Sequence, residues 1–120
     1  MPNTTELLAL KCKHAENALT KTEVADYLKA IPGWNETDGE ANKRIVKNFK
    51  FKNYYETLAF INAIAYVIHA EDHHPEITLT YNNCLIKFDT HSVNGGKGGL
   101  SENDFICAAK VDAIYQQSFS

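Results

Sequence analysis

The chain has 120 residues, 44% of them hydrophobic and 22% charged, and a formal net charge of −3. That balance suits one ordinary domain with a real core. It excludes the electrostatic footprint of a nucleic-acid binder, since the basic residues are dispersed apart from a modest run between Lys43 and Lys52.

Residues 1–19 are weakly patterned and read as a partly ordered N-terminal arm, leaving 20–120 as the domain proper. The polar start has no hydrophobic secretory core, and no apolar run approaches the length of a membrane span. Thr20 and Glu23 form a capping box, a hydroxyl N-cap followed three residues later by an acid. Val24, Leu28 and Ile31 then recur at helical spacing, and Pro32-Gly33 closes that helix. Trp34, read as a core or interface anchor, begins a short extended piece that ends in a polar turn, Asp38-Gly39-Glu40. Ile45, Phe49 and Phe51 share one face of a strand, with Lys47 as an exception on that face.

Tyr54 to His73 reads as a long buried helix. Leu58, Ile61, Ala65 and Ile68 form one apolar stripe, widened by Phe60, Ile64 and Val67. Pro75 disfavours helical geometry at His74, which places the helix end at about His73. Ile77, Leu79 and Tyr81 alternate as a strand, Asn82-Asn83 makes a two-residue turn, and Cys84, Ile86 and Phe88 return. Residues 94–99 form a glycine-rich loop, expected to be mobile and a candidate lid. Lys97 is followed by Gly98 instead of Ser or Thr, so the loop is no phosphate cradle. Ser101 to Asp104 opens the last helix with another capping-box pattern, and Phe105, Ala108, Val111 and Tyr115 follow at helical spacing. The element order predicts an α+β fold: an antiparallel four-stranded sheet with helices packed on one face, a β-β-α-β-β-α core preceded by an N-terminal helix.

The chemistry concentrates in the histidines. Four of the five lie at His69, His73, His74 and His91. Imidazole alone has an unperturbed pKa near neutrality, so a cluster beside Glu71, Asp72 and Asp104 can give and take protons. His73 at a helix C-terminus, next to Asp72 and Glu71, is placed to favour its charged form. His74, forced extended by Pro75, faces elsewhere. An acid at Asp104 caps its helix whatever else it does. His69 and His73, four residues apart on a helix, have a spacing that could chelate a metal, but no His-Glu-x-x-His accompanies them, and Cys12 with His14 are too few for a metal site. Three cysteines, Cys12, Cys84 and Cys107, are odd in number and far apart. They argue against a disulfide framework and for a reducing, cytoplasmic setting, with Cys84 and Cys107 as core residues.

With these elements laid out, the chain closely resembles the pterin-4a-carbinolamine dehydratase family over residues 19 to 115. Leu19 to Glu23, Ile31-Pro-Gly-Trp34 and Phe49 to Asn53 resemble its N-terminal half. His73-His74-Pro75, Tyr81, Thr90-His91 and Leu100 to Phe105 resemble its active-site half. Three departures stand out. His69 occupies a place often held by an acid, the glycine loop is longer, and Ala15 replaces the second cysteine of a Cys-x-x-Cys that many bacterial members carry.

The resemblance implies dehydration of a 4a-hydroxytetrahydropterin to quinonoid dihydropterin and water, without metal or cofactor, in tetrahydrobiopterin recycling. It implies His73 and His91 as the acid–base pair, His74 in binding and catalysis, and Asp104 as the supporting acid. Backbone groups around His73, His74, Pro75, Thr90, His91 and Ser92 would hold the pterin, and His69 would support from the rim. It further implies a cytosolic homodimer or homotetramer, downstream of an aromatic amino acid hydroxylase, with no direct nucleic-acid or membrane partner. The alternatives are a non-catalytic dimerisation cofactor of a hydroxylase or transcription factor, and a metal-dependent hydrolase.

Overall fold

The computed structural model describes residues 2–38 and 43–120. Its elements, in chain order, are α1 (Thr4–Ala9), α2 (Lys21–Lys29), β1 (Asn35–Glu36), β2 (Ile45–Lys50), α3 (Tyr54–Glu71), β3 (Glu76–Leu79), β4 (Asn83–Phe88), a short 3₁₀ turn (Asn94–Gly96) and α4 (Glu102–Ser118). The strands form one antiparallel sheet in the order β1-β2-β4-β3. This is the α+β arrangement expected. Gly39 and Glu40 of the expected turn lie outside the described residues.

Strand alternation decides which face of the sheet is covered. Register pairs Ile45 with Phe88, Phe49 with Cys84, Ile77 with Ile86 and Leu79 with Cys84. Ile45, Phe49, Cys84, Ile86 and Phe88 are buried, while Asn48, Lys50, Glu76 and Thr78 on the other face are exposed. Among the described residues the helices therefore pack on one side only. Phe60 of α3 anchors them, with its ring centroid 5.0 Å from Phe49 and 5.1 Å from Phe51.

Lys47, the charge on the buried face, has a reason to be there. Its Nζ donates to Asp112 Oδ1 at 2.9 Å, and Trp34 Nε1 donates to the same carboxylate. A charge taken from water needs such a partner. Burial pushes the Asp112 carboxyl up, and the bonds from Lys47 and Trp34 only partly oppose it. This knot ties β2 and Trp34 to α4.

Both capping boxes form in full, Thr20 with Glu23 and Ser101 with Asp104. Four expectations need correction. The weakly patterned first nineteen residues hold α1, whose Leu7 is fully buried in the core. The inner stripe of α3 centres on Phe60, Ile64 and Val67, because Phe60 fills the space over Phe49 and Phe51; Ala65 faces solvent. The hairpin turn comes one residue early, with the Thr80 N–H bonded to Asn83 O and no positive φ at Asn82 or Asn83. The glycine loop, expected to be mobile, is held at its base by hydrogen bonds. Thr90 and Gly99 exchange two backbone bonds, the Asn94 N–H donates to Glu16 O, and the Asn94 side chain donates to Gly98 O. Among the described residues no helix is long and apolar enough to cross a membrane.

Candidate active site

The site begins where α3 stops. Asp72 adopts left-handed backbone (φ 51°, ψ 43°) and caps the helix, its N–H bonded to His69 O. Aspartate tolerates this conformation better than most side chains. The helix thus ends two residues before His73, contrary to expectation. Pro75 constrains only His74; what precedes it is fixed by tertiary bonds. The reversal at Asp72 swings His73 away from the helix axis and toward the start of α4.

There His73 Nε2 meets Asp104 Oδ1 at 2.6 Å. The His73 ring stacks on Phe88, nearly parallel at 6° and with centroids 5.9 Å apart, so its plane is fixed. Asp104 is fully buried. Its other oxygen, Oδ2, accepts from Thr90 Oγ1 at 2.9 Å and from the Ser101 N–H at 2.9 Å. Thr90 and Ser101 hydroxyls lie 2.7 Å apart, closing the network. Burial pushes the Asp104 carboxyl up; the hydrogen bond and charge of His73, with Ser101 and Thr90, act against that rise without cancelling it. A raised carboxyl against an imidazole is a pair able to share and release a proton. With Nε2 committed, Nδ1 is the ring nitrogen left for a ligand.

His73 lines an open cavity of about 450 Å³, walled by residues 12–15, 71–74, 89–92 and Asn103. That volume lies in the range of small-molecule sites. His74 and His91 are exposed at its rim, and His74 lies 3.7 Å from the Asp72 carboxylate. Of the residues singled out from the sequence, the cavity brings together His73, His74, Thr90, His91 and Ser92, with Asp104 directly behind. It does not include Pro75 or His69. His69 is exposed on α3, and because the helix ends before His73 the two no longer share the i, i+4 relation that metal chelation needs. Thr90 turns its hydroxyl inward to Asp104, and Ser92 Oγ donates to Ala15 O.

Glu71 makes no hydrogen bond to His73; its carboxylate is taken up by Lys110 Nζ at 2.6 Å and the Cys12 N–H at 2.8 Å, from both of which it accepts. Burial would raise this carboxyl, but the bonds from Lys110 and Cys12 outweigh it and hold it below its ordinary value. The wall formed by Cys12 to Ala15 was not foreseen, because nothing periodic marks a stretch held by backbone bonds. The Lys13 N–H donates to Asn103 Oδ1, and Asn103 Nδ2 donates back to Lys13 O.

A family model described as pterin 4 alpha carbinolamine dehydratase matches residues 17–114. A Bdellovibrio bacteriovorus protein carrying the name pterin-4-alpha-carbinolamine dehydratase is 52% identical over 120 residues, covering 100% of this chain and 97% of its own length. A Nitrosospira multiformis protein of the same name is 48% identical, covering 97% of this chain and 99% of its own. Among solved structures, a transcriptional coactivator/pterin dehydratase from Brucella melitensis superposes with a TM-score of 0.73 at 35% identity, over 82% of this chain and 98% of that one. A pterin dehydratase-like RuBisCO assembly factor of the alpha-carboxysome superposes with a TM-score of 0.57 at 28% identity, over 68% of this chain and 88% of that one.

Proposed function

The chain belongs to the pterin 4 alpha carbinolamine dehydratase family, and on that premise we propose that it removes water from a 4a-hydroxytetrahydropterin by histidine acid–base catalysis. The observation that supports this best is the 2.6 Å contact between His73 and buried Asp104 on the wall of an open cavity with two further histidines at its rim. In the reaction the bond from C4a to the hydroxyl oxygen breaks, the oxygen leaves as water with a delivered proton, and N5 gives up its proton. The product is the quinonoid dihydropterin. Both proton transfers lie within the reach of imidazoles, and the balance requires no redox step.

His73 serves as the acid, oriented by Asp104 on one side and Phe88 beneath. His91, from the stretch after β4, takes the ring proton. His74 helps to bind and orient the pterin, which lies against the backbone of residues 73–75 and 90–92. Asp104 steadies the charge that passes through His73. Thr90 supports Asp104 through its hydroxyl. Tetrahydrobiopterin recycling after an aromatic amino acid hydroxylase, a homodimeric or homotetrameric assembly and a cytoplasmic setting complete the proposal.

A second reading is a partner-binding cofactor. It draws on the two structural neighbours, one described as a coactivator and the other as an assembly factor. The clustered histidines weigh against it as a sole role, since binding a protein partner does not call for them.

The test is the dehydration of freshly generated 4a-hydroxytetrahydropterin, followed by ultraviolet absorbance at neutral pH. Acceleration that survives a chelator and drops about 10²–10⁴-fold in His73→Ala and His91→Ala is the expected result. Full rate in both single variants overturns the assignment.

A further inference from the structure

Cys12 and Cys107 are remote in sequence, yet their sulfurs stand 3.5 Å apart. Cys12 lies in the arm, half-buried on the cavity wall. Cys107 is fully buried on α4, one turn beyond Asp104. The arm is fixed on both sides of this contact. The Cys12 N–H is bonded to Glu71 Oε1, and Lys13 exchanges two bonds with Asn103. Cys12 Sγ also lies 3.6 Å from Asn103 O as a donor. Neither thiol has a part in the proposed dehydration.

We infer that Cys12 and Cys107 form a redox-active thiol pair, which a peroxide reaching the cavity converts into an intramolecular disulfide. Cys12, as thiolate, attacks one peroxide oxygen and the O–O bond breaks. Cys12 becomes a sulfenic acid, and the departing oxygen leaves as water with the proton Cys12 has shed. The Cys107 sulfur then attacks the Cys12 sulfur, the S–O bond breaks, and that oxygen leaves as water with the Cys107 proton. Two thiols and one hydrogen peroxide give one disulfide and two waters.

The geometry sets the order of events. Cys12 is the cysteine of the pair that lines the cavity and is only half-buried, whereas Cys107 is fully buried and does not line it. The hydrogen bond with Cys12 and burial both push the Cys107 thiol up, which keeps it protonated until the sulfenic acid forms. Bond formation needs the sulfurs to close to about 2.05 Å, a shift on the order of 1.5 Å. The irregular stretch from Leu10 onward can absorb that shift without breaking a helix. Cys84, buried in β4, has no sulfur contact among the described residues and serves as an internal control. The product ties the arm to α4 between Glu71 and Asn103 and fixes that wall of the cavity.

The experiment treats the full chain with hydrogen peroxide and reads intact mass, then peptide maps after alkylation without reduction. The expected result is a loss of about 2 Da, reversed by dithiothreitol, with a Cys12–Cys107 linked peptide and Cys84 still alkylated. The oxidised protein melts about 5 °C or more above the reduced one. Cys107→Ser gains about 16 Da at Cys12 and is captured by dimedone, while Cys12→Ser shows no 2 Da loss. Circular dichroism confirms that each variant is folded. A wild type that resists oxidation, that takes Cys12 to the sulfinic acid with Cys107 still free, or that links through Cys84 or between two chains overturns the inference. None of these readouts depends on dehydratase activity.

Discussion

Asp104 holds His73 with one carboxylate oxygen and gives the other to Thr90 and the Ser101 amide. The helix-capping role and the histidine-orienting role are therefore separable by oxygen, although one side chain performs both. Thr90→Val removes one donor to Oδ2 and leaves the contact with His73 in place. The expected outcome is a folded protein whose kcat falls about 10-fold with KM little changed, and whose pH–rate profile shifts. An unaltered pH–rate profile would mean that Thr90 does not act through Asp104. One lost hydrogen bond to a charged group corresponds to roughly 1.5–3 kcal/mol, which bounds the effect.

The same carboxyl carries a pH signature in stability. Its folded value is raised above the ordinary 3.8 by burial. Its contribution is therefore full below that pH and drains away as pH rises through the folded value. Asp104→Asn lacks this dependence. Urea titrations across acidic to neutral pH should show the stability difference, wild type minus variant, declining as pH rises. A flat difference would mean that the carboxyl is not raised.

Glu71 carries the opposite sign. Lys110 and the Cys12 amide hold it below its ordinary 4.5 despite burial. Its stabilisation is present above that pH and disappears as pH falls through the lowered folded value. Glu71→Gln should cost about 2 kcal/mol at neutral pH, as expected for a hydrogen-bonded charged partner, and the gap should close under acid. Chemical denaturation at neutral pH and in acid distinguishes this from a pH-independent packing defect.

Leu7 tests whether the first helix belongs to the fold. Its side chain is fully buried in the core. Leu7→Ala should destabilise by about 2–5 kcal/mol, the usual cost of such a truncation. A melting temperature equal to that of wild type would place α1 outside the cooperative unit.

Asp72 stands in left-handed backbone at the point where α3 releases His73. Asp72→Gly, which removes the steric cost, should change stability by less than about 1 kcal/mol and leave dehydration intact. Asp72→Val should lower both, because a β-branched side chain resists that conformation. Equal behaviour of the two variants in melts and assays would mean that the reversal does not depend on Asp72.

Local signals in the chain were legible because local physics writes them. The capping boxes at Thr20 and Ser101, the alternation of Ile45 to Phe51 and of Cys84 to Phe88, and the apolar mass of α3 all appear where sequence patterning places them. What escaped is held by partners distant along the chain. His73 and Asp104 are 31 residues apart, Glu71 and Lys110 are 39 apart, and Cys12 and Cys107 are 95 apart. The end of α3 moved for that reason, since its last turn answers to α4 and the arm as well as to Pro75. Six-residue α1 is too short to show a period, and only Leu7 of it is buried. The histidine cluster was visible as composition, but its division into one held ring, two rim rings and an outlying His69 required the fold.

The order in which the chain is made bears on the Asp104 contact. A polypeptide emerging from the ribosome completes all five histidines before it reaches Asp104. Until α4 follows and docks, His73 has no carboxylate behind it and the arm has no Asn103 or Cys107 to close against. The proposed acid–base site therefore cannot be complete until the helix that carries both Asp104 and Cys107 has been made.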